Sequence, residues 1–178
     1  MQNIFIGMLF VFLNFNLDIG SLRIGLIPTF LGYIYIAKGL LEVTGFSDNF
    51  SKVAPYVKGM AVYSGICYAM DLLGISFIIG MPIDFVLGLI STVVSLFISH
   101  GIIMGIRDIE IAKVQNLNAG QLYSTWKLLA IVSLAVYLLY IIPVLAVICM
   151  IAGFMIAVYY LSIFNKTKNL YYGENPTG

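Results

Sequence analysis

Residues 81–107 read MPIDFVLGLISTVVSLFISHGIIMGIR. An α-helix rises about 1.5 Å per residue and bilayer hydrocarbon is about 30 Å thick, so residues 82–107 are long enough to cross as one helix. At about 100° per residue, Asp84, Gly88, Ser91, Ser95 and Ser99 fall on one stripe about 80° wide. Phe, Leu, Ile and Val dominate the rest of the circumference. A helix that gathers its small and hydroxylated residues on one side addresses another helix or a narrow wet cavity, not lipid tails. Gly101 and Gly105 form a GxxxG pair offset from that stripe, suited to a second close helix approach.

The whole chain shares this character. Of its 178 residues, 61% are hydrophobic and 10% charged, and the mean hydropathy is +1.03. Soluble domains carry about 25% charged residues, so this chain lacks the charge to cover a water-facing surface. The expected fold class is all-α, a polytopic transmembrane helix bundle of about six spans, or five if the first segment is not fully inserted. One transmembrane domain, residues 1–165, is followed by a polar cytoplasmic tail, residues 166–178. The net charge of +1 comes without a basic patch, which argues against a nucleic-acid partner. Cys67 and Cys149 lie in apolar runs outside any CxxC or metal spacing and read as small buried hydrophobes.

Outward from the central span, residues 72–81 are too short to cross and read as a re-entrant or interfacial link. Residues 54–73 form the span before it, with Pro55 at its start. Residues 44–58 are a polar connection in which Ser47, Asp48 and Asn49 supply capping oxygens. Residues 23–43 form a span in which Gly25, Gly32 and Gly39 recur every seven residues on nearly one face, with Pro28 in the first turns. The first segment, residues 1–17, is near the lower limit of about 17 residues for a span. On the other side, the polar stretch 108–121 extends the central helix and stops near Asn118-Ala-Gly120. Residues 122–142 and 143–164 then form a tight antiparallel hairpin. Tyr123, Trp126, Tyr137, Tyr140, Tyr159 and Tyr160 fall near span ends, where aromatic interface belts belong.

With six crossings, one side receives Lys38, Lys52, Lys58, Arg107, Lys113, Lys127, Lys166 and Lys168, and the other Arg23 alone. That asymmetry puts both termini in the cytoplasm.

The run Gly25-Leu-Ile-Pro28, followed by Gly32-Tyr-Ile and Lys38-Gly-Leu, resembles the opening of an uncharacterised group of small multi-spanning membrane proteins of Gram-positive bacteria. The resemblance covers the first third of the chain. It implies a bacterial cytoplasmic membrane and carries no catalytic or binding residue with it.

Few side chains can carry chemistry. His100 is the only histidine, so no histidine-pair metal site and no HExxH motif exists, and no cofactor is expected. Ser91, Ser95 and Ser99 have no GxSxG context, and Ser99 points about 100° away from His100 on a helix. The expectation is therefore no enzyme. Asp71 and Asp84 flank the link at 72–81, and intramembrane carboxylates are default candidates for an ion pathway. Glu42, Asp108 and Glu110 read as solvated helix-end charges. Two functions fit. One is an accessory, assembly or immunity-type protein working through helix contacts with a membrane-protein partner or a second copy, on seams made by Gly25, Gly32, Gly39, Gly88, Gly101 and Gly105. The other is a small transporter or channel whose pathway runs along Asp71, Asp84, Ser91, Ser95, Ser99 and His100. The first expects a packed stripe, the second a cavity.

Overall fold

Among the described residues, apolar runs separated by polar or proline-bearing links give six α-helices: α1 Gln2–Phe12, α2 Thr29–Val43, α3 Asp48–Leu72, α4 Met81–Lys113, α5 Ala119–Leu138 and α6 Pro143–Tyr172. The computed structural model describes residues 1–13, 16–19, 22–25, 28–73 and 81–173. The side chains of residues 16–19, 22–25, 81, 82, 84 and 143 are not among what it describes. Strands β1 Asn16–Ile19 and β2 Leu22–Gly25 pair antiparallel between α1 and α2, from Asn16↔Gly25 to Ile19↔Leu22. Each helix packs on the next and α6 packs back on α1, closing a ring.

Among the described residues, three helical stretches are long and apolar enough to cross a membrane: Phe85–Lys113, Ala119–Ile141 and Val144–Tyr172. Their outer faces are bare hydrocarbon. On α4, Ile83, Val86, Ile90, Val93 and Phe97 recur at helical spacing and stand about half exposed. On α6, Val144, Val147, Ile148, Ile151 and Met155 are exposed likewise. A continuous apolar coat of this kind suits lipid and not water, so these three helices fit a membrane protein. The other helices differ. The 11 residues of α1 span about 16 Å and the 15 of α2 about 22 Å. The 25-residue α3 is long enough but carries Asp48, Lys52, Lys58 and Asp71.

Glycine decides how α1 meets α2. A Cβ on Gly32 would lie 2.9 Å from the Gly7 carbonyl oxygen, and one on Gly39 would lie 2.7 Å from the Ile4 nitrogen. The two backbones touch, antiparallel, and Ile4, Met8, Tyr33, Ile36 and Leu40 are buried around the seam. Gly101 and Gly105 serve α4 in the same way against Val53 and Phe50 of α3.

One end of the ring holds the starts of α1, α3 and α5 and the ends of α2, α4 and α6. Asn3 Nδ2 donates to Glu42 Oε1 at 2.5 Å, and the Gln2 amide donates to the Tyr172 hydroxyl at 3.4 Å. The acidic side chains here are not merely solvated. Asp108 accepts from the Ser47 hydroxyl and, at 2.9 Å, from Asn49 Nδ2. Glu110 Oε2 accepts the Ala119 amide at 2.9 Å. Each carboxylate thus satisfies groups at the start of another helix, where unpaired N–H donors favour negative charge. Gln115 Nε2 donates to the Leu170 carbonyl and Thr167 Oγ1 to the Leu117 carbonyl, both at 2.8 Å, which ties the α4–α5 loop to α6.

Several boundaries differ from expectation. The helix expected from residue 23 starts at Thr29, because proline disfavours a helical residue before it; Pro28 is the N-cap. Gly25 consequently sits in β2 and not on the face shared by Gly32 and Gly39. Helix α3 starts six residues before residue 54, because Ser47 caps it by accepting the Asn49 amide, and Pro55 lies inside. Residues 166–172 continue α6 without a break, with Thr167 buried. The link at 72–81 lies largely outside the described residues; α3 ends at Leu72 and α4 begins at Met81.

Helix α4 stops at Lys113, short of Asn118, which instead is the N-cap of α5. The stop is Val114, whose φ of 51° is left-handed. The Gln115 amide reaches back to the Glu110 carbonyl at 3.2 Å. A β-branched residue is strained in that region by about 1–2 kcal/mol. Val114 is 94% exposed, so nothing packs on it in compensation. Val114→Gly is expected to raise the unfolding free energy by about 1 kcal/mol. Detergent-mediated unfolding with SDS in mixed micelles would register this as a shift of the midpoint to higher SDS.

Candidate functional site: a hydroxyl-lined cavity inside the ring

Four helices bring hydroxyls together in pairs one turn apart. Thr29 and Tyr33 come from α2, Ser64 and Tyr68 from α3, Ser91 and Ser95 from α4, and Ser133 and Tyr137 from α5. Residues at i and i+4 share a helix face, so each pair points the same way. Together they line a cavity of about 500 Å³. Val11 and Phe12 of α1 close one side, and Tyr63, Cys67, Asp71, Gly88 and Thr92 complete the polar wall. The lining runs from Ser64 to Asp71 along α3 and from Gly88 to Ser95 along α4, each a rise of about 10 Å.

The floor is a hydrogen bond. The Tyr33 hydroxyl lies 2.6 Å from Ser95 Oγ. Ser95 Oγ donates to the Ser91 carbonyl at 2.7 Å, so its single proton is committed and Tyr33 is the donor. Beyond this pair the buried side chains include Ile36, Leu40, Val57, Ile98, Ile102 and Ile103. The cavity is a vestibule whose described lining lies in the half of the ring away from Glu42 and Tyr172.

Other hydroxyls of the wall are held as well. Ser64 Oγ donates to the Met60 carbonyl at 2.5 Å and Tyr63 to the Leu87 carbonyl at 3.4 Å. Thr92 and Tyr137 share a 2.8 Å bond. A Cβ on Gly88 would lie 3.2 Å from the Tyr137 hydroxyl, so the absent side chain makes room for that tyrosine.

The stripe read on α4 thus divides. Gly88, Ser91 and Ser95 line the cavity, whereas Ser99 is buried past its floor. Ser99 Oγ donates to the Leu96 carbonyl at 3.0 Å and accepts Trp126 Nε1 at 2.9 Å. His100 faces elsewhere. Its ring centroid lies 4.8 Å from that of Trp126 and 5.9 Å from that of Tyr123, beside an apolar groove between α4 and α5. Asp71 lines the cavity, and the Asp84 side chain lies outside the described residues. The structure accordingly joins Asp71, Ser91 and Ser95 and leaves Ser99 and His100 apart from them. Among the described residues, no three His, Cys, Asp or Glu side chains converge as metal ligands would.

Sequence reading missed the hydroxyls of α2, α3 and α5. The signal was present in the i,i+4 pairs, and on α3 it extends over Ser64, Cys67, Tyr68 and Asp71, one face of a helix. The aromatic belts also need correction. Tyr137 points into the cavity, and Tyr160 is fully buried against Phe12 and Phe164. Adjacent residues diverge by about 100° on a helix, so Tyr159 and Tyr160 could not both face lipid. Tyr140 and Tyr159 are the exposed ones. Compared with family models, with curated proteins and with solved structures, the chain matches none of them.

Proposed function

We propose that this is a multi-spanning protein of a bacterial cytoplasmic membrane that receives a small solute in the hydroxyl-lined vestibule, as a transporter or channel does, and performs no covalent chemistry. One observation carries the reading: the polar stripe of α4 lines open space shared with hydroxyls from three other helices. A seam built only for packing would leave no such volume. The ring of helices alternating in direction supports a six-crossing arrangement, with the shorter α1 and α2 held against each other by their glycine seam. Lys38, Lys52, Lys58, Arg107, Lys113, Lys127, Lys166 and Lys168 all lie in the half of their helix nearest the Glu42 end, and Arg23 lies at the other. The positive-inside bias then turns the Glu42 end to the cytoplasm and the vestibule outward.

The alternative, an accessory protein acting through helix contacts alone, draws less support. Of the glycines that suggested it, Gly32 and Gly39 meet α1 and Gly101 and Gly105 meet α3 within the chain, while Gly88 lines the cavity and Gly25 sits in β2.

Cysteine accessibility separates the two. In a Cys67→Ala, Cys149→Ala background, Ser91→Cys and Ser95→Cys are expected to react with a membrane-impermeant methanethiosulfonate at least about tenfold faster than Ser99→Cys, because access governs thiol modification. Equal resistance at all three positions would return the stripe to a packed seam. Reporter enzymes fused at residues 2 and 178 are both expected to report the cytoplasm.

A further inference from the structure

We propose that the groove between α4 and α5 on the outer wall binds an anionic phospholipid from the leaflet at the Glu42 end. This rests on reading the chain as a membrane protein, and is independent of what the vestibule receives. The groove has a volume of about 330 Å³, within the size range of small-molecule sites. Val93 and Phe97 of α4 and Ala130 and Leu134 of α5 form its sides, and the buried Leu96 also lines it. Both helices are among those long and apolar enough to cross a membrane. A groove of such side chains offers water no partners, whereas an acyl chain fills it.

One end differs. His100 and Trp126 also line the groove, and both belong to one ring cluster. The Trp126 centroid lies 4.8 Å from that of His100 and 5.8 Å from that of Tyr123, on which it stacks. The indole N–H is committed to Ser99, so the cluster is fixed from within. Val93 to His100 is a rise of about 10 Å along α4. The groove is thus apolar along its length and polar at the end nearer Glu42. Depth agrees, since about 20 helical residues cross the hydrocarbon. Counted from Met81 they end beside His100, and counted back from Ile141 they end beside Tyr123. The cluster lies at headgroup level, where Trp and Tyr are favoured.

Charge selects the lipid. Lys127 Nζ lies 5.0 Å from the Tyr123 ring centroid. Tyr123 is one turn nearer the start of α5, so the ammonium reaches back toward the headgroups. Among the described residues no carboxylate pairs with it, and α5 carries no Asp or Glu. The described carboxylates of α4 are engaged elsewhere, Asp108 by Ser47 and Asn49 and Glu110 by the Ala119 amide. His100 shares no hydrogen bond with a described residue. Arg107, seven residues further on the same face of α4, is exposed. A phosphodiester accepts charge-assisted hydrogen bonds from such groups. A zwitterionic headgroup brings its own cation to the same place; an anionic one does not, and is favoured.

Trp126 is the only tryptophan, so its fluorescence reports this groove alone. The full chain would be reconstituted in phosphatidylcholine bilayers holding a fixed fraction of bromine-labelled phosphatidylglycerol or of bromine-labelled phosphatidylcholine. Bromine quenches an indole that it touches. The anionic lipid is expected to bind about fivefold more strongly, the effect of one basic residue on an anionic lipid, and the preference should shrink in high salt. Lys127→Gln should bring the ratio toward one, and Lys127→Arg should keep it. Lys113→Gln should leave it unchanged, because the Lys113 ammonium lies against Phe46 and Tyr171. The ratio in the unaltered chain and its salt dependence need no folded variant. Equal quenching by the two lipids, or a preference that Lys127→Gln leaves intact, would overturn the assignment while leaving the membrane reading in place. Quenching by neither lipid would overturn it as well. Quenching by iodide would then put water at the groove and fail the membrane reading, whereas protection from iodide too would mean that a second copy of the chain covers it.

Discussion

Gly7→Ala is expected to cost the protein more than about 3 kcal/mol, beyond the usual range for overpacking, and to remove most folded material from the membrane. The added Cβ would meet the Gly32 carbonyl oxygen, with the Ile36 nitrogen at 2.7 Å and Ile36 Cγ1 at 2.5 Å. Two of these three atoms are backbone. A side chain could rotate aside, but a backbone can move only with its helix, so α1 and α2 must part along their whole contact. Separation would loosen Ile4, Met8, Ile36 and Leu40 together, which are now fully enclosed. Gly59→Ala is the control. A Cβ at Gly59 meets nothing within 4 Å, so that change should stabilise α3 by about 0.5–1 kcal/mol through helix propensity. SDS titration of both variants, with yield after membrane extraction, measures the contrast. A folded Gly7→Ala protein with an unmoved midpoint would mean that the α1–α2 seam is looser than described.

Tyr33→Ala is expected to lower the unfolding free energy by about 3–5 kcal/mol, in line with aromatic truncations in packed interiors. Tyr33 is 1% exposed, and its ring separates the vestibule from the isoleucine-rich interior. Tyr33→Phe keeps the ring and loses only the hydroxyl, so about 1 kcal/mol should suffice there. The pair distinguishes a floor made by the ring from one made by the hydrogen bond to Ser95. The same SDS titration resolves them, and labelling of Ser95→Cys adds a second readout. With Tyr33→Ala the Ser95→Cys thiol should be modified faster, whereas Tyr33→Phe should change its rate little. Comparable losses from both variants would assign the floor to the hydroxyl.

The helices were legible in the sequence because apolar runs interrupted by polar links are a strong signal, and each of the six runs read as spans holds a helix among the described residues. Their limits were less so, since a boundary turns on single residues. Pro28 delays α2, Ser47 advances α3, and Val114 stops α4 through a left-handed conformation that nothing in its side chain announces. The α4 stripe was also legible, but an angle computed along one helix cannot tell a seam from a cavity. That distinction needs the neighbours. Ser91 and Ser99 look alike on a helical wheel, yet one meets open space and the other meets the Trp126 indole. The tyrosines misled for a related reason. Their type and place near span ends match an interface belt, and only packing turns Tyr137 inward and buries Tyr160.

The contact of α6 with α1 has a consequence for biogenesis. Phe5 stacks on Phe164 at 6.3 Å, and Phe12 meets Tyr160 edge-on at 5.6 Å. Helix α1 is thereby completed by α6, which is made long after it, while its seam with α2 can zip as soon as that neighbour emerges. Until translation delivers Tyr160 and Phe164, the nascent bundle is a crescent with one flank of α1 uncovered. A chain released prematurely after α5 would leave that flank open to lipid and to membrane quality-control proteases.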